Sequence, residues 1–215
     1  MKLISKTILS ACAVSLTALA FAHADTQEFD LTDFTEIDAS AGVDVNVSVG
    51  GGYSITAEGD ADALEKLRIE KRNGVLKIGR EHTASFFSFG NKWQVTVTVS
   101  MPELSGVDVS SGAELTASGI DADSFSASVS SGAEATLSGT CNQLNADGSS
   151  GADLEAADLK CVSATADVSS GADLDIYASE SVTADASSGG DITVYGGPAN
   201  TNVDKSSGGG VTIRD

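Results

Sequence analysis

The stretch that decides the fold is "SSGADLDIYASESVTADASSGGDITVYGG", residues 169–197, which carries nearly the same phrase twice. Each copy begins with two serines and a glycine, continues to an acid, and then alternates apolar with polar residues. Alternation with a period of two is typical of a β-strand that buries one face. Serine and glycine at the start of each copy are typical of a turn. The stretch therefore predicts two copies of one turn-and-strand unit.

The same unit recurs along the second half of the chain. Ser-Ser-Gly occurs six times at intervals of 20, 19, 20, 18 and 19 residues, and its first serines are Ser110, Ser130, Ser149, Ser169, Ser187 and Ser206. In every copy the positions three residues before, five after and seven after the first serine are apolar, up to Val203, Val211 and Ile213 in the last copy. Even spacing of this kind indicates stacked units. We expect an all-β, parallel β-solenoid with about 19–20 residues per coil, each coil climbing about 4.8 Å. A six-residue sub-repeat, typical of the left-handed hexapeptide helix, is absent, so we predict the right-handed form.

Residues 25–101 do not follow this regular pattern. Asn73-Gly74 lies between two alternating runs, which is a strong signal for a β-hairpin. We interpret residues 25–101 as the first coils with an N-terminal hairpin or cap, residues 102–215 as the regular Ser-Ser-Gly coils, and residues 25–215 as one domain. A cap would protect the open strand edges that a solenoid otherwise exposes.

The first 24 residues have the features of a cleaved signal peptide. Lys2 and Lys6 precede an uncharged apolar run, and Ala22-His23-Ala24 provides a small-x-small cleavage site. Cys12 ends a sequence similar to a bacterial lipobox, so lipidation is the alternative to simple cleavage. The remaining chain has no apolar run long enough for a transmembrane helix. We expect export to the periplasm, the outer-membrane surface or the extracellular space.

Charge and composition argue against two classes of function. The formal net charge of −19 disfavours nucleic acid and anionic lipid as partners. His82 is the one histidine after the signal segment and lies outside the repeats, so the coils hold no Ser-His-Asp triad and no histidine-rich metal site. We therefore expect a protein that is not an enzyme and requires no cofactor.

Residues 34–79, "FTEIDASAGVDVNVSVGGGYSITAEGDADALEKLRIEKRNGVLKIG", carry a resemblance to a known family. Gly42-Val43-Asp44-Val45 occupies the place of a Gly-Ile-Asn-Val signature, and the Ser-Ser-Gly coils follow it. The layout resembles the bacterial head GIN domain family, described as the head of autotransporter adhesins. The resemblance implies an exported right-handed β-solenoid and suggests adhesion as its role, and it brings no catalytic residues.

Two columns of acidic residues are predicted to lie outward on the stacked coils. One column, four residues after each first serine, consists of Glu114, Glu134, Asp153, Asp173 and Asp191. Like charges about 4.8 Å apart repel by about 0.9 kcal/mol per pair even in water. Bound calcium would offset this repulsion, since Ca²⁺ accepts carboxylate oxygens in flexible geometry. The column is either a weak multi-site Ca²⁺ binder or a solvated acidic face.

Cys141 and Cys161 each stand eight residues before the next Ser-Ser-Gly, so they should stack on adjacent coils. An exported protein permits a disulfide between them. The alternative is two reduced cysteines packed as small apolar residues.

Aromatic residues concentrate in "SFFSFGNKW", residues 85–93. Phe86, Phe87, Phe89 and Trp93 would either cover an open side of the solenoid or form a partner-binding patch. Tyr177 and Tyr195 share one phase of the repeat, so they would stack either as a packing ladder or as a sugar-binding pair. The sequence favours a non-catalytic adhesion or interaction module that contacts a protein or a surface glycan. The alternative is an envelope protein that binds calcium or a glycan through its acidic columns.

Overall fold

The computed structural model describes residues 25–80 and 94–215. These residues form one short helix, α1 (Ala61–Leu64), and fifteen strands. The strands are β1 (Asp25–Phe29), β2 (Glu36–Ala39), β3 (Asp44–Val49), β4 (Ser54–Gly59), β5 (Leu67–Arg72), β6 (Val75–Arg80), β7 (Val95–Met101), β8 (Gly106–Val109), β9 (Glu114–Ser130), β10 (Glu134–Ser149), β11 (Asp153–Val168), β12 (Asp173–Ala186), β13 (Asp191–Tyr195), β14 (Asn200–Lys205) and β15 (Gly210–Ile213).

The second half of the chain winds as a parallel β-solenoid, which confirms the fold class. Strands β9, β10, β11 and β12 pair in parallel, each one coil above the last. Above β12 the next coil is divided into β13 and β14, and β15 then pairs with β13. Equivalent positions of the repeat are direct partners, as in Leu154 opposite Leu174. The 19-residue period therefore corresponds to one coil.

Each Ser-Ser-Gly motif forms a tight corner between coils. In all six copies the second serine and the glycine have positive φ, from 48° to 58° for serine and from 66° to 83° for glycine. The corner is closed by a backbone hydrogen bond, such as the one that Gly190 donates to the carbonyl of Ser187 at 3.0 Å. Glycine adopts this left-handed conformation without a steric penalty, which explains its fixed place in the repeat.

The strands continue through a second bend within each coil, which the alternation pattern alone does not predict. Strands β9 to β12 run for 14 to 17 residues, and their pairing shifts register near the middle, for example between Leu137 and Gly139. Gly139 has φ 139°, and a Cβ there would lie 2.1 Å from the carbonyl oxygen of Ile120 in the adjacent coil. The close approach of the two backbones makes glycine necessary at this bend.

One apolar core fills the solenoid. The predicted inward positions are buried in the first five regular coils, mostly as Ala, Val, Leu and Ile, and no polar or charged residue is buried among the described residues. The last coil differs from the prediction. Val203 and Val211 are only half-buried, and Ile213 is 40% exposed. These side chains point inward by parity, but no further coil of the described residues covers them.

The N-terminal region extends the same sheet and adds antiparallel strands at its end. β2 lies between β6 and β8, and β3 lies between β7 and β9, all in parallel. β4 then pairs antiparallel with β7, and β1 with β4. The predicted hairpin is present as β5 and β6, whose turn residues Asn73 and Gly74 have φ 52° and 84°. No helix in the described part of the chain is long and apolar enough to cross a membrane.

Candidate binding face

Ten strands align edge to edge and give the solenoid one uninterrupted outward face. Their order is β1-β4-β7-β3-β9-β10-β11-β12-β13-β15. At the strand spacing of about 4.8 Å this face is about 43 Å long. Its middle column is a continuous chain of register partners: Glu28, Thr56, Thr98, Asn46, Thr116, Thr136, Glu155, Asp175, Thr193 and Thr212. We call this surface the ten-stranded face.

The predicted acidic column forms one side of the ten-stranded face. Glu114, Glu134, Asp153, Asp173 and Asp191 are successive register partners and are all exposed. Asp44 extends the column by one coil, because it is the partner of Glu114. Asp44 is not among the residues predicted for the column, although the sequence carries a signal for it. Ser40-Ala41-Gly42 stands in the place of Ser-Ser-Gly, and Ala41 and Gly42 have the same positive φ as the later corners.

Crowding of carboxylates changes the protonation of this column. Partial desolvation raises the pKa of Glu134, and the neighbouring carboxylates of Glu114, Glu155 and Asp153 raise it further. The pKa of Asp173 is raised in the same way, by desolvation first and then by Asp153, Asp191 and Asp175. Both groups therefore resist ionisation because they are partly desolvated and because negative charge is present on both sides of them. The column stores electrostatic repulsion that a proton or a cation would relieve.

The carboxylates lie in a row along successive coils and do not converge on a single point. Among residues 25–80 and 94–215, no group of three or more His, Cys, Asp or Glu side chains is placed to hold a metal ion. A shallow depression of about 200 Å³ lies between Glu134, Asp153 and Asp173 of this column and Glu155 and Asp175 of the middle column. Such an arrangement can attract cations to the surface, but it lacks the convergent oxygen ligands of a strong calcium site.

The second acidic column, whose members stand two residues before the first serine of a repeat, lies beside the Ser-Ser-Gly corners. Asp147, Asp167, Asp185 and Asp204 are successive partners, and with the first serines of their corners they line a groove of about 570 Å³. The pKa of Asp167 is raised by desolvation and then by Asp185 and Asp147. Lys205 is the one cation that lines the groove in the described residues. The groove is thus acidic along most of its length.

Cys141 and Cys161 are direct partners between β10 and β11. Their side chains form a disulfide with a Cα–Cα distance of 4.4 Å, and both residues are buried. The bond joins two neighbouring coils from within the core, away from the ten-stranded face.

Of the two predicted aromatic features, the structure describes only the tyrosine pair. Phe86, Phe87, Phe89 and Trp93, the predicted cap or partner patch, lie outside the described residues. Tyr177 and Tyr195 are direct partners between β12 and β13, at one end of the ten-stranded face. The two tyrosines therefore stack on adjacent coils as their phase in the repeat predicts.

Several solved structures have a similar fold. A protein from Bacteroides fragilis described as "a putative adhesin" aligns with a TM-score of 0.70 and 16% identity, covering 90% of this chain and 98% of that one. Proteins described in the same terms from Parabacteroides merdae and Parabacteroides distasonis align with TM-scores of 0.54 and 0.53 and identities of 15% and 13%. These alignments cover 89% of this chain and 96% and 97% of the two proteins. At such low identity the likeness establishes the fold. No curated protein matches the chain.

The sequence itself identifies the family. Residues 33–198 match the model of a family described as "Putative auto-transporter adhesin, head GIN domain". The match begins just before β2 and ends just after β13, so it leaves out only β1, β14 and β15 of the strands. It includes Gly42-Val43-Asp44-Val45, the segment that resembles the family signature. The chain therefore belongs to this head GIN domain family.

Proposed function

We propose that the chain is an exported, non-catalytic adhesion module of the bacterial cell envelope, and that the ten-stranded face makes the contact. Membership of an adhesin family supports the class of function. The observation that carries the proposal is the continuity of the face, in which ten strands present one unbroken middle column. Solenoid proteins commonly bind partners through extended surfaces of this kind.

The chemistry of the face suits repeated weak contacts. Its N-terminal half is rich in short polar side chains, such as Thr56, Thr98, Asn46 and Thr116. Short side chains lose less rotamer entropy on contact than lysine, arginine or glutamate. Hydroxyl groups donate and accept hydrogen bonds, so they can pair with either a glycan or a protein backbone. Many such contacts along one rigid surface add up to firm attachment.

Retention of protein-coated beads under flow tests this function. Beads would carry the exported chain, residues 25–215, and the surfaces would be coated with mucin, with collagen or with intact Gram-negative cells. The variant Thr98→Arg/Thr116→Arg places two long charged side chains on exposed positions of the ten-stranded face. The matched control Ser124→Arg/Gln143→Arg makes the same change at exposed register partners on the later part of β9 and β10.

We expect wild-type beads to be retained on at least one surface, and we expect the face variant to lose most of that retention while the control keeps it. Circular dichroism would verify that both variants remain folded. The proposal fails if wild-type beads are retained no better than albumin-coated beads on all three surfaces. If the two double variants are retained equally, the ten-stranded face is not the contact surface.

A further inference from the structure

One outward column of the ten-stranded face changes abruptly in size near its C-terminal end. Eight residues after the first serine, successive coils carry Ser118, Ser138 and Ala157, and then Tyr177 and Tyr195. A cleft of about 660 Å³ lies beside this change, lined by Ala157, both tyrosines and polar residues. The small alanine leaves the space, and the tyrosines form a wall of the cleft.

The tyrosine rings are held in place by cations and by a close backbone contact. The Nζ atom of Lys160 lies 4.4 Å from the ring centre of Tyr177, and Cζ of Arg214 lies 5.7 Å from that of Tyr195. A Cβ on Gly196 would lie 2.8 Å from Cζ of Tyr177, so glycine at this position lets the ring approach the backbone. Cation–π contacts and this packing fix the rings before any ligand arrives.

The cleft also offers polar groups that remain available for binding. The phenol hydroxyls of Tyr177 and Tyr195 make no hydrogen bond to any other residue in the described ranges. Asp158 and Asp215 also line the cleft. The Asp158 side chain is 87% exposed and pairs with Lys160 only at 3.5 Å. Each of these groups can exchange a water molecule for a ligand hydroxyl.

The charges of the protein disfavour both anionic and cationic ligands in the cleft. The chain has a net charge of −19, and Asp175 precedes Tyr177 by two residues on the same face. At the cleft itself the cations Lys160 and Arg214 are matched in number by the carboxylates of Asp158 and Asp215, so the negative field of the whole chain still disfavours phosphate, uronate and nucleic acid. A cationic ligand would have to compete with Lys160 and Arg214, which already lie over the rings. What remains is a molecule with apolar C–H surfaces and many hydroxyls.

We propose that the cleft lined by Ala157, Tyr177 and Tyr195 binds an uncharged oligosaccharide. This inference rests on the adhesion function proposed above and names the ligand class for one subsite of that surface. Tyrosine offers both an apolar ring and a hydroxyl, which match the two kinds of surface on a sugar. The volume is within the range of about 300–1,000 Å³ for small-molecule sites.

Binding of defined trisaccharides in solution tests the proposal. Cellotriose, maltotriose, mannotriose and tri-N-acetylchitotriose would be the neutral probes, and trigalacturonic acid the anionic one. Saturation-transfer NMR would detect binding, and calorimetry would measure affinity. The variant Ala157→Leu fills the cleft without altering either tyrosine. The matched control Ser118→Leu makes a similar change in the same column two coils away.

We expect at least one neutral trisaccharide to bind and trigalacturonic acid not to bind. Ala157→Leu should abolish binding, and Ser118→Leu should leave it unchanged. Tyr177→Phe and Tyr195→Phe keep the rings and should each weaken binding by up to about tenfold through loss of one hydrogen bond. Thermal unfolding of every variant would verify that it is folded.

Two results would overturn the proposal. Binding that survives Ala157→Leu would place the sugar elsewhere on the molecule. If no neutral trisaccharide binds while wild-type beads are still retained under flow, the sugar subsite is refuted and the adhesion function stands. If the wild-type chain neither binds a neutral trisaccharide nor is retained under flow, both proposals are refuted.

Discussion

Asp173 lies directly opposite Asp191 across the ladder between β12 and β13, so two carboxylates occupy the same outward position on adjacent coils. Asp153 stands in the same relation to Asp173 on the other side. The side chain in the middle therefore has a negative neighbour above and below it. This arrangement destabilises the ionised column, because like charges directly opposite each other in a sheet repel.

Acidification should stabilise the fold. The pKa values of Glu134, Asp167 and Asp173 are raised in the folded chain by desolvation and then by neighbouring carboxylates. Between the ordinary and the raised pKa, the folded state binds more protons than the unfolded state, so the free energy of unfolding rises as pH falls. We expect Tm to increase from pH 7 toward about pH 4.5, where the gain ends near the ordinary carboxyl pKa values. Circular dichroism melts at stepped pH would measure this, and a steady fall in Tm over that range would contradict it.

Removing one charge from the middle of the column should have a similar effect. Asp173→Asn eliminates repulsion with Asp153 and Asp191, and we expect Tm at pH 7 to rise by about 1–3 °C. The increase should shrink as the pH falls, because the raised pKa of Asp173 lets the wild-type carboxylate take up a proton and lose its charge. Asp30→Asn removes an exposed carboxylate outside the column and is the matched control. Equal changes in the two variants would show that net charge, and not the stacking, matters.

Calcium should stabilise the chain weakly through the same column. A divalent ion can bridge neighbouring carboxylates, whereas sodium can only screen them. We expect Tm to rise more in about 10 mM calcium chloride than in about 30 mM sodium chloride, which has the same ionic strength. The double variant Glu134→Gln/Asp173→Asn should reduce the difference. Identical melts in the two salts would leave the column as a solvated acidic face.

Replacement by alanine should cost very different amounts of stability at two glycines that both have positive φ. At Gly171 a Cβ meets nothing within 4 Å, so alanine there incurs only the left-handed conformation, about 1–2 kcal/mol. At Gly139 a Cβ would lie 2.1 Å from the carbonyl oxygen of Ile120, so two strands must separate. We expect Gly139→Ala to cost about 3 kcal/mol or more. Urea unfolding of both variants would measure the costs, and equal values would argue against a close backbone contact at the second bend.

The repeat predicts the coil because the stacked positions obey a simple rule. Leu154 and Leu174 are both apolar, share a phase and are direct partners. The bend at Gly139 has a weaker signal, since glycine recurs at this phase as Gly119 and Gly196 but is absent from the other three copies. What requires glycine at position 139 is the close approach of Ile120 in the adjacent coil. The exposure of Ile213 was likewise not predictable from its own coil. Alternation indicates which way a side chain points, but not whether another coil lies above it.

The candidate face was only partly predictable for a related reason. Its acidic column follows from the repeat, and even Asp44 could be found by aligning Ser40-Ala41-Gly42 with the later corners. The antiparallel pairing of β4 with β7 places Thr56 beside Thr98, and no repeat relates these two segments. The cleft next to Tyr177 depends on the small size of Ala157 one coil earlier. Such a gap is recognised only when the coils are stacked.

The disulfide between Cys141 and Cys161 should contribute substantially to stability. It closes a loop with a sequence separation of 20 residues, for which chain entropy alone predicts about 3 kcal/mol. We expect the double variant Cys141→Ala/Cys161→Ala to have a Tm about 6–12 °C lower than the wild type. Reductant should not change the Tm of this variant. A thiol assay on denatured, unreduced chain 25–215 should find no free thiol. Both cysteines are buried, so the assay requires full denaturation. Two thiols in that assay would contradict the bond and leave the pair as small apolar residues of the core.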